Sequence, residues 1–168
     1  DWSSDVCSSD LSLFTAPGVA PEGLRGGVLA VDVPTSGFAF VAYELLARQG
    51  LRVGRDYEVR PLGTTPRRAT ALAAGECAMT VLNAGNDLRA EAAGCTRVSR
   101  ASSLGPYLGT VFAALGDRVD SDTGVLRALT GVLLATSRAL VEGELRDVAR
   151  SVTAARLELD QEGVARYL

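Results

Sequence analysis

The chain has 168 residues, 47% of them hydrophobic, and a formal net charge of −3 from 17 basic and 20 acidic residues. That length suits one compact domain or part of a two-lobed one. The absence of histidine removes the commonest metal ligand and the usual general base. Three of the acids lie in the first ten residues; without them 17 acidic residues balance 17 basic ones, so the basic excess typical of nucleic-acid-binding proteins is missing.

The first eleven residues, DWSSDVCSSDL, differ in composition from everything that follows. All eleven resemble the translation of a common sequencing-library adapter in a single reading frame. We therefore expect residues 1–11 to be adapter-derived, and they carry no weight in the fold prediction. A metal site built from Asp1, Asp5, Cys7 and Asp10 is the weaker alternative, because carboxylates and a thiolate favour different ions.

After a lead-in or linker at residues 12–24, strands and helices alternate. The apolar run GVLAVD (27–32) predicts a strand, and Phe38, Val41, Ala42, Leu45 and Leu46 follow at the spacing of one helix face. A second strand is predicted at 57–62. A short helix comes next, with Thr65 as N-cap and Pro66 as the first helical residue.

Further strands are predicted at 77–82 and, at a sheet edge, at 95–101. This alternation is typical of an α/β protein with a mostly parallel sheet and flanking helices. The last third differs: a strand at 109–115 precedes helices at about 123–141, 144–155 and 161–168. In the longest helix Leu126, Leu129, Val132, Leu133 and Leu140 should face inward.

The stretch DVPTSGF (32–38) has the greatest chemical promise. It places Thr35, Ser36 and Gly37 where a strand gives way to a helix, and the first amides of a helix attract anionic or carbonyl oxygens. The alternative is that Ser36 only caps its helix.

A second junction, at Gly63, Thr64 and Thr65, repeats this arrangement after the next strand. Two such junctions at the carboxyl ends of parallel strands would face one crevice. Arg67 and Arg68 follow, as a counter-charge for an anion or as a solvated helix face.

Two further side chains lie near the same edge. Asn83 follows the third strand and either meets a ligand or satisfies loop backbone. Tyr107 needs a partner for its hydroxyl, which need not be a ligand. For catalysis and cofactors the sequence offers no candidate: it lacks the GxSxG, Walker A and GxGxxG motifs. Cys77 and Cys95 either pair or remain buried free thiols.

Three segments together, DVPTSGFAFVAYELLARQGL, DYEVRPLGTTPRRATALAAGECAMTVLN and LGPYLGTVFAAL, resemble substrate-binding proteins of ABC importers. The branch is the type II periplasmic-binding fold that includes binders of aliphatic sulfonates, taurine, nitrate and thiamine precursors. The resemblance implies that Thr35, Ser36, Gly37 and Phe38 form one ligand-facing junction and Gly63, Thr64 and Thr65 the other. It places Asn83 and Tyr107 near the hinge. NAGND stands where relatives carry an Asn-Pro-Pro-like turn, which leaves the roles of Asn83 and Asp87 open.

The resemblance also implies a domain plan and a role. Residues 25–104 would be the α/β ligand-binding lobe, and residues 105–168 the return strand and C-terminal helices of the other, incomplete lobe. The full-length protein would be a periplasmic or lipid-anchored monomer. It would capture a small anionic or heterocyclic nutrient for a membrane permease, without catalysis or nucleic-acid binding. A thiamine-pyrimidine-synthesising enzyme and the effector-sensing domain of a transcription regulator are the alternatives on the same fold.

Overall fold

The computed structural model describes residues 11–83, 85–105 and 112–168. The chain divides into two compact units. The first holds the described residues up to 105, and the second holds residues 112–166.

A five-stranded sheet forms the centre of the first unit, with the strand order β3-β2-β4-β1-β5. Strand β2 pairs in parallel with both β3 and β4, whereas β1 is antiparallel to its neighbours β4 and β5. Four of the five strands therefore run in one direction, which confirms the predicted mostly parallel α/β architecture. The strands are β1 (Ser12–Thr15), β2 (Val28–Val31), β3 (Glu58–Pro61), β4 (Met79–Leu82) and β5 (Thr96–Arg100).

Helices cover both faces of this sheet: α1 (Gly37–Arg48), α2 (Thr65–Ala73) and α3 (Asn86–Ala92). Adjacent strand residues point to opposite faces, so Leu13 joins the apolar cluster under α1 while Phe14 joins the one under α2 and α3. Val81 and Leu82 divide in the same way. This arrangement gives the sheet a core on each side, as a doubly covered parallel sheet requires.

Strand β1 is the main element that the sequence pattern did not predict. Its four residues lie inside the segment expected to be a lead-in, and all four are buried between β4 and β5. A smaller correction concerns α2, which begins at Thr65 with Thr64 as N-cap, one residue earlier than predicted. Of the strand predicted at 109–115, residues 109–111 lie outside the described residues, and 112–115 have no regular structure.

Four helices follow in the remainder of the chain: α4 (Gly116–Ser121), α5 (Thr123–Val141), α6 (Arg146–Leu157) and α7 (Gln161–Tyr167). The prediction for α5 is confirmed, those for α6 and α7 hold to within two residues, and α4 was not predicted. The inward face predicted for α5 is wrong, since no residue of this helix is buried and Val132 is 63% exposed. By length and composition α5 could cross a membrane, a test that helices of soluble proteins also pass.

The exposed apolar stripe of α5 should make the chain bind the dye ANS and self-associate. Val125, Leu129 and Val132 lie about one helical turn apart, and between 48% and 70% of each residue is exposed. Replacing all three by serine should lower ANS fluorescence and the sedimentation-average mass. The matched control replaces three exposed polar residues of α6. If the control lowers both readings as much as the α5 variant, the stripe is not the cause.

Candidate functional site

The first strand–helix junction lies between the end of β2 and the start of α1. Ser36 is the N-cap of α1, and its hydroxyl oxygen accepts a hydrogen bond from the Ala39 amide at 3.0 Å. The same hydroxyl donates to the carboxylate of Asp32. The Ser36 hydroxyl therefore donates one hydrogen bond and accepts one within the protein. It acts as a helix cap, which is the alternative predicted for this residue.

Asp32 is half-buried and stands beside this cap. Burial alone, the largest single effect, would raise the pKa of its carboxyl. Hydrogen bonds from Ser36 and from the backbone, with the positive charge of Arg68, outweigh burial and leave the pKa below its ordinary value. Asp32 is therefore ionised at neutral pH. A ligand at this junction meets a carboxylate that the sequence analysis did not count among the site residues.

The amides at the start of α1 are open to a ligand. Neither the Gly37 nor the Phe38 amide donates a hydrogen bond within the described part of the chain, as expected for the first turn of a helix. A Cβ placed on Gly37 would meet no atom within 4 Å, so its backbone faces open space. Thr35 is exposed, and Phe38 packs against the core cluster under α1. The loop before the helix is held by the Tyr43 hydroxyl, which donates to the Pro34 carbonyl at 3.0 Å.

The second junction follows β3. Gly63 has φ +79°, a left-handed conformation that favours glycine. Thr64 is exposed, and its side chain makes no capping bond to α2. The Thr65 amide has no partner among the described residues, and Pro66 has no amide hydrogen to offer. The Thr65 amide is therefore one of the free donors at this helix start.

Arg68 is the residue that sequence reasoning undervalued. Its whole residue is 1% exposed, and its guanidinium donates four hydrogen bonds. The neighbouring Arg67 side chain is exposed, so the predicted solvated helix face holds for only one of the two arginines. The signal was present in the spacing, since position 68 lies one turn before the fully buried Leu72. The acceptors of Arg68 are the Gly63 and Val81 carbonyls and the hydroxyls of Thr65 and Thr80.

Strand order brings the two junctions side by side. β3 and β2 are parallel neighbours in which Pro61 pairs with Val31, and the Leu62 amide continues the ladder to the Val31 carbonyl at 2.8 Å. Both helix starts therefore follow adjacent strand ends at one edge of the sheet. Open α/β sheets bind their ligands at this edge.

The remaining candidates are placed differently. Asn83 follows β4 at the same edge, and its carbonyl accepts hydrogen bonds from the amide and side chain of Asn86, which orders the turn into α3. Tyr107 lies outside the described residues. Asp87 is buried and pairs with Arg97 on β5 at 3.3 Å, so it belongs to the packing of α3 rather than to the junctions.

Neither of the two described thiols has the chemistry of a nucleophile. Cys77 and Cys95 are both free and buried, and burial raises the pKa of Cys77 to about 11 and that of Cys95 above its ordinary value. Within the described ranges, no group of three or more acidic or cysteine side chains could hold a metal ion.

The solved structures with this architecture include proteins named for sulfonate binding. The periplasmic aliphatic sulphonate binding protein SsuA from Escherichia coli matches 96% of this chain with a TM-score of 0.73 and 18% sequence identity. The alkanesulfonate-binding protein SsuA from Xanthomonas axonopodis pv. citri, bound to MOPS, matches 95% with a TM-score of 0.72 and 18% identity. The chain has the periplasmic-binding-protein fold.

These comparisons also show the extent of the match. The chain spans about half the length of the two structures, 52% of the first and 55% of the second. A third, the periplasmic sulfonate-binding protein from Methylobacillus flagellatus, has a TM-score of 0.61 and 16% identity over 86% of this chain and 44% of its own. No family model and no curated protein matches the sequence.

The two glycines of the junctions should respond differently to substitution. Gly63→Ala should lower the free energy of unfolding by about 1 kcal/mol, because the left-handed backbone strains any residue with a Cβ. Gly37→Ala is the matched control: it also meets no atom within 4 Å, but its backbone is helical, so its effect should stay within about 0.5 kcal/mol. Urea unfolding followed by circular dichroism measures both. Equal losses would show that the Gly63 turn is not specified by its backbone conformation.

Proposed function

We propose that this chain is part of the solute-binding component of an ABC importer. Its first unit would supply one side of a binding site for a small oxyanion, with sulfonates as the first class to test. The observation that carries the proposal is the pair of adjacent helix starts with unbonded amides, in a fold shared with two sulfonate-binding proteins. Fold alone does not assign a function, so the proposal rests on the chemistry of these junctions.

An anion fits the donors at this edge. The amides of Gly37, Phe38 and Thr65 point out of the first turns of two helices, where the helix dipole adds partial positive charge. The open space at Gly37 allows close approach to the backbone. A sulfonate offers three oxygens that accept hydrogen bonds without carrying a proton of their own at neutral pH. The ionised Asp32 nearby would favour ligands with a second, hydrogen-donating group.

Binding rather than catalysis is what these residues support. The Ser36 hydroxyl donates its hydrogen bond to Asp32 and caps α1, and the two described cysteines are buried with raised pKa values. We therefore assign Thr35, Ser36, Gly37, Phe38, Gly63, Thr64 and Thr65 to ligand binding, with Asn83 and Tyr107 at its margin. Ser36 would act by capping α1 rather than by donating from its hydroxyl, and Phe38 would act through its backbone amide.

The domain plan follows from the proposed role. Residues 25–104 would form the ligand-binding lobe together with β1, and residues 105–168 would belong to the second lobe of a clamp. Half of each matched structure has no counterpart here, so the opposite wall of the site would come from protein outside this chain. The complete protein would act outside the cytoplasm as a monomer and pass its ligand to a membrane permease.

Isothermal titration of this chain and of the complete protein from the same sample tests the proposal. We expect the complete protein to bind one of the oxyanions methanesulfonate, taurine or nitrate. This chain should bind the same compound at least about 100-fold more weakly, since a one-sided clamp leaves the ligand hydrated. Gly37→Leu should abolish binding by filling the space before α1, without loss of folded structure. Binding by neither protein, or binding that survives Gly37→Leu, would contradict the proposed role.

A further inference from the structure

The guanidinium of Arg68 connects the second junction to the centre of the sheet. Its Nη1 donates to the Gly63 carbonyl, and its Nη2 donates to the Thr65 hydroxyl at 3.3 Å and the Val81 carbonyl at 3.2 Å. These bonds join the turn after β3, the first turn of α2 and strand β4. One buried side chain therefore holds the turn that presents the Thr65 amide.

The same group reaches towards the first junction through a second hydroxyl. Nε of Arg68 donates to the Thr80 hydroxyl at 3.2 Å, and Thr80 in turn donates to the Ala30 carbonyl on β2 at 2.8 Å. Strand β2 leads two residues later into Asp32. A hydrogen-bonded chain thus links Arg68 across β4 to the strand that ends at the Ser36 junction.

The charge of Arg68 is not neutralised where it lies. All four of its acceptors are uncharged oxygens, and no carboxylate of the described residues forms an ion pair with it. Burial lowers its pKa, and the charge of Asp32 opposes that effect. Arginine nevertheless keeps its proton in proteins. A full positive charge therefore lies under the first turn of α2. Its attraction for an anion is stronger there than in water, because the protein interior has a low dielectric constant.

We infer that Arg68 is a positioning residue for anion binding: it fixes the Gly63–Thr65 turn and biases this edge of the sheet towards charged oxyanion headgroups over neutral ones. The inference rests on the proposed function and deepens it. With 1% of its surface exposed, Arg68 does not itself touch a ligand. It acts through the Thr65 amide and through its charge. The negative charge of Asp32 disfavours anions. The charges of Arg68 and Asp32 together therefore set the preference for charged over neutral headgroups.

Two probes of similar shape separate charge from fit: methanesulfonate, which is an anion, and dimethyl sulfone, which is neutral. Each is titrated into the ¹⁵N-labelled full chain, and the shifts of the Gly37, Phe38 and Thr65 amides give millimolar dissociation constants. We expect the wild-type chain to prefer methanesulfonate. Arg68→Gln should weaken methanesulfonate binding about tenfold and change sulfone binding by less than about threefold. Arg68→Lys should restore most of the preference, and Arg67→Gln, an exposed charge in the same turn, should leave it unchanged.

Asp32→Asn keeps the test decisive if Arg68→Gln does not fold. Asparagine can still accept from Ser36, but it removes the negative charge that opposes Arg68, so methanesulfonate affinity should rise about threefold while sulfone affinity stays constant. An unchanged preference in Arg68→Gln, or in Asp32→Asn where Arg68→Gln does not fold, would overturn the inference and leave the binding role intact. If neither probe shifts any of the three amides in the wild-type chain, the binding role and the inference fail together.

Discussion

Replacing Arg68 by alanine is expected to lower the free energy of unfolding by about 2–4 kcal/mol. The substitution leaves the Gly63 and Val81 carbonyls without their guanidinium partner and opens a void beneath the first turn of α2. Each buried polar group that loses its partner costs about 1–3 kcal/mol. Part of this loss is offset because a buried cation no longer has to be desolvated.

Two controls separate the hydrogen bonds from volume and charge. Arg67→Ala removes an exposed arginine from the same helix and should change stability by less than about 0.5 kcal/mol. Arg68→Met fills most of the volume without donating, so its effect should fall between the other two. Urea unfolding monitored by circular dichroism gives all three values. If Arg68→Ala unfolds at the same urea concentration as Arg67→Ala, the guanidinium does not hold the junction.

Arg67 and Arg68 show which features of α2 could be predicted from the sequence and which could not. Helical spacing places residue 68 on the buried side of α2, one turn from Leu72, and this could have been read from the sequence. Its acceptors on β4 could not, because Thr80 and Val81 lie on a strand that only the folded sheet brings next to α2. Without visible partners, a charged residue in an amphipathic helix is predicted to be solvated.

Local signals were sufficient for the framework of the first unit. Apolar runs and capping residues predicted β2, α1, β3, α2 and β4, and their alternation predicted parallel strands with both junctions at one edge. Ser36 is the N-cap where it was expected. The function of its hydroxyl depended on Asp32, four residues earlier, whose orientation no periodicity reveals.

In the second unit the helix α5 was predicted correctly, but the burial of its apolar face was not. The period of α5 predicted its length, yet the partner surface implied by its apolar face is not present among the described residues. The apolar side of an amphipathic helix normally packs against another surface of the folded protein. Val125, Leu129 and Val132 on this apolar face are all exposed.

Phe14→Ala is expected to destabilise the first unit by about 3–5 kcal/mol, the range for removing a fully buried aromatic side chain. Phe14 lies on β1, has no exposed surface, and packs with Leu72 and Leu82 on the face covered by α2 and α3. The guanidinium of Arg97 lies 5.3 Å from its ring centroid, so a cation–π contact is lost as well. Sequence reasoning missed β1 because SLFT is too short to show a period and pairs only with distant segments.

The size of this loss tests whether β1 is an integral inner strand of the sheet or a dispensable lead-in. Phe14→Leu keeps most of the buried volume and should cost only about 1–1.5 kcal/mol. Phe40→Ala, on the exposed side of α1 with 58% of its surface accessible, should cost less than about 1 kcal/mol. Amide hydrogen exchange localises the effect: Phe14→Ala should speed exchange in β4 and β5, which pair with β1. If Phe14→Ala behaved like Phe40→Ala, β1 would not be an integral strand, and β4 would become an edge whose amides are open to solvent.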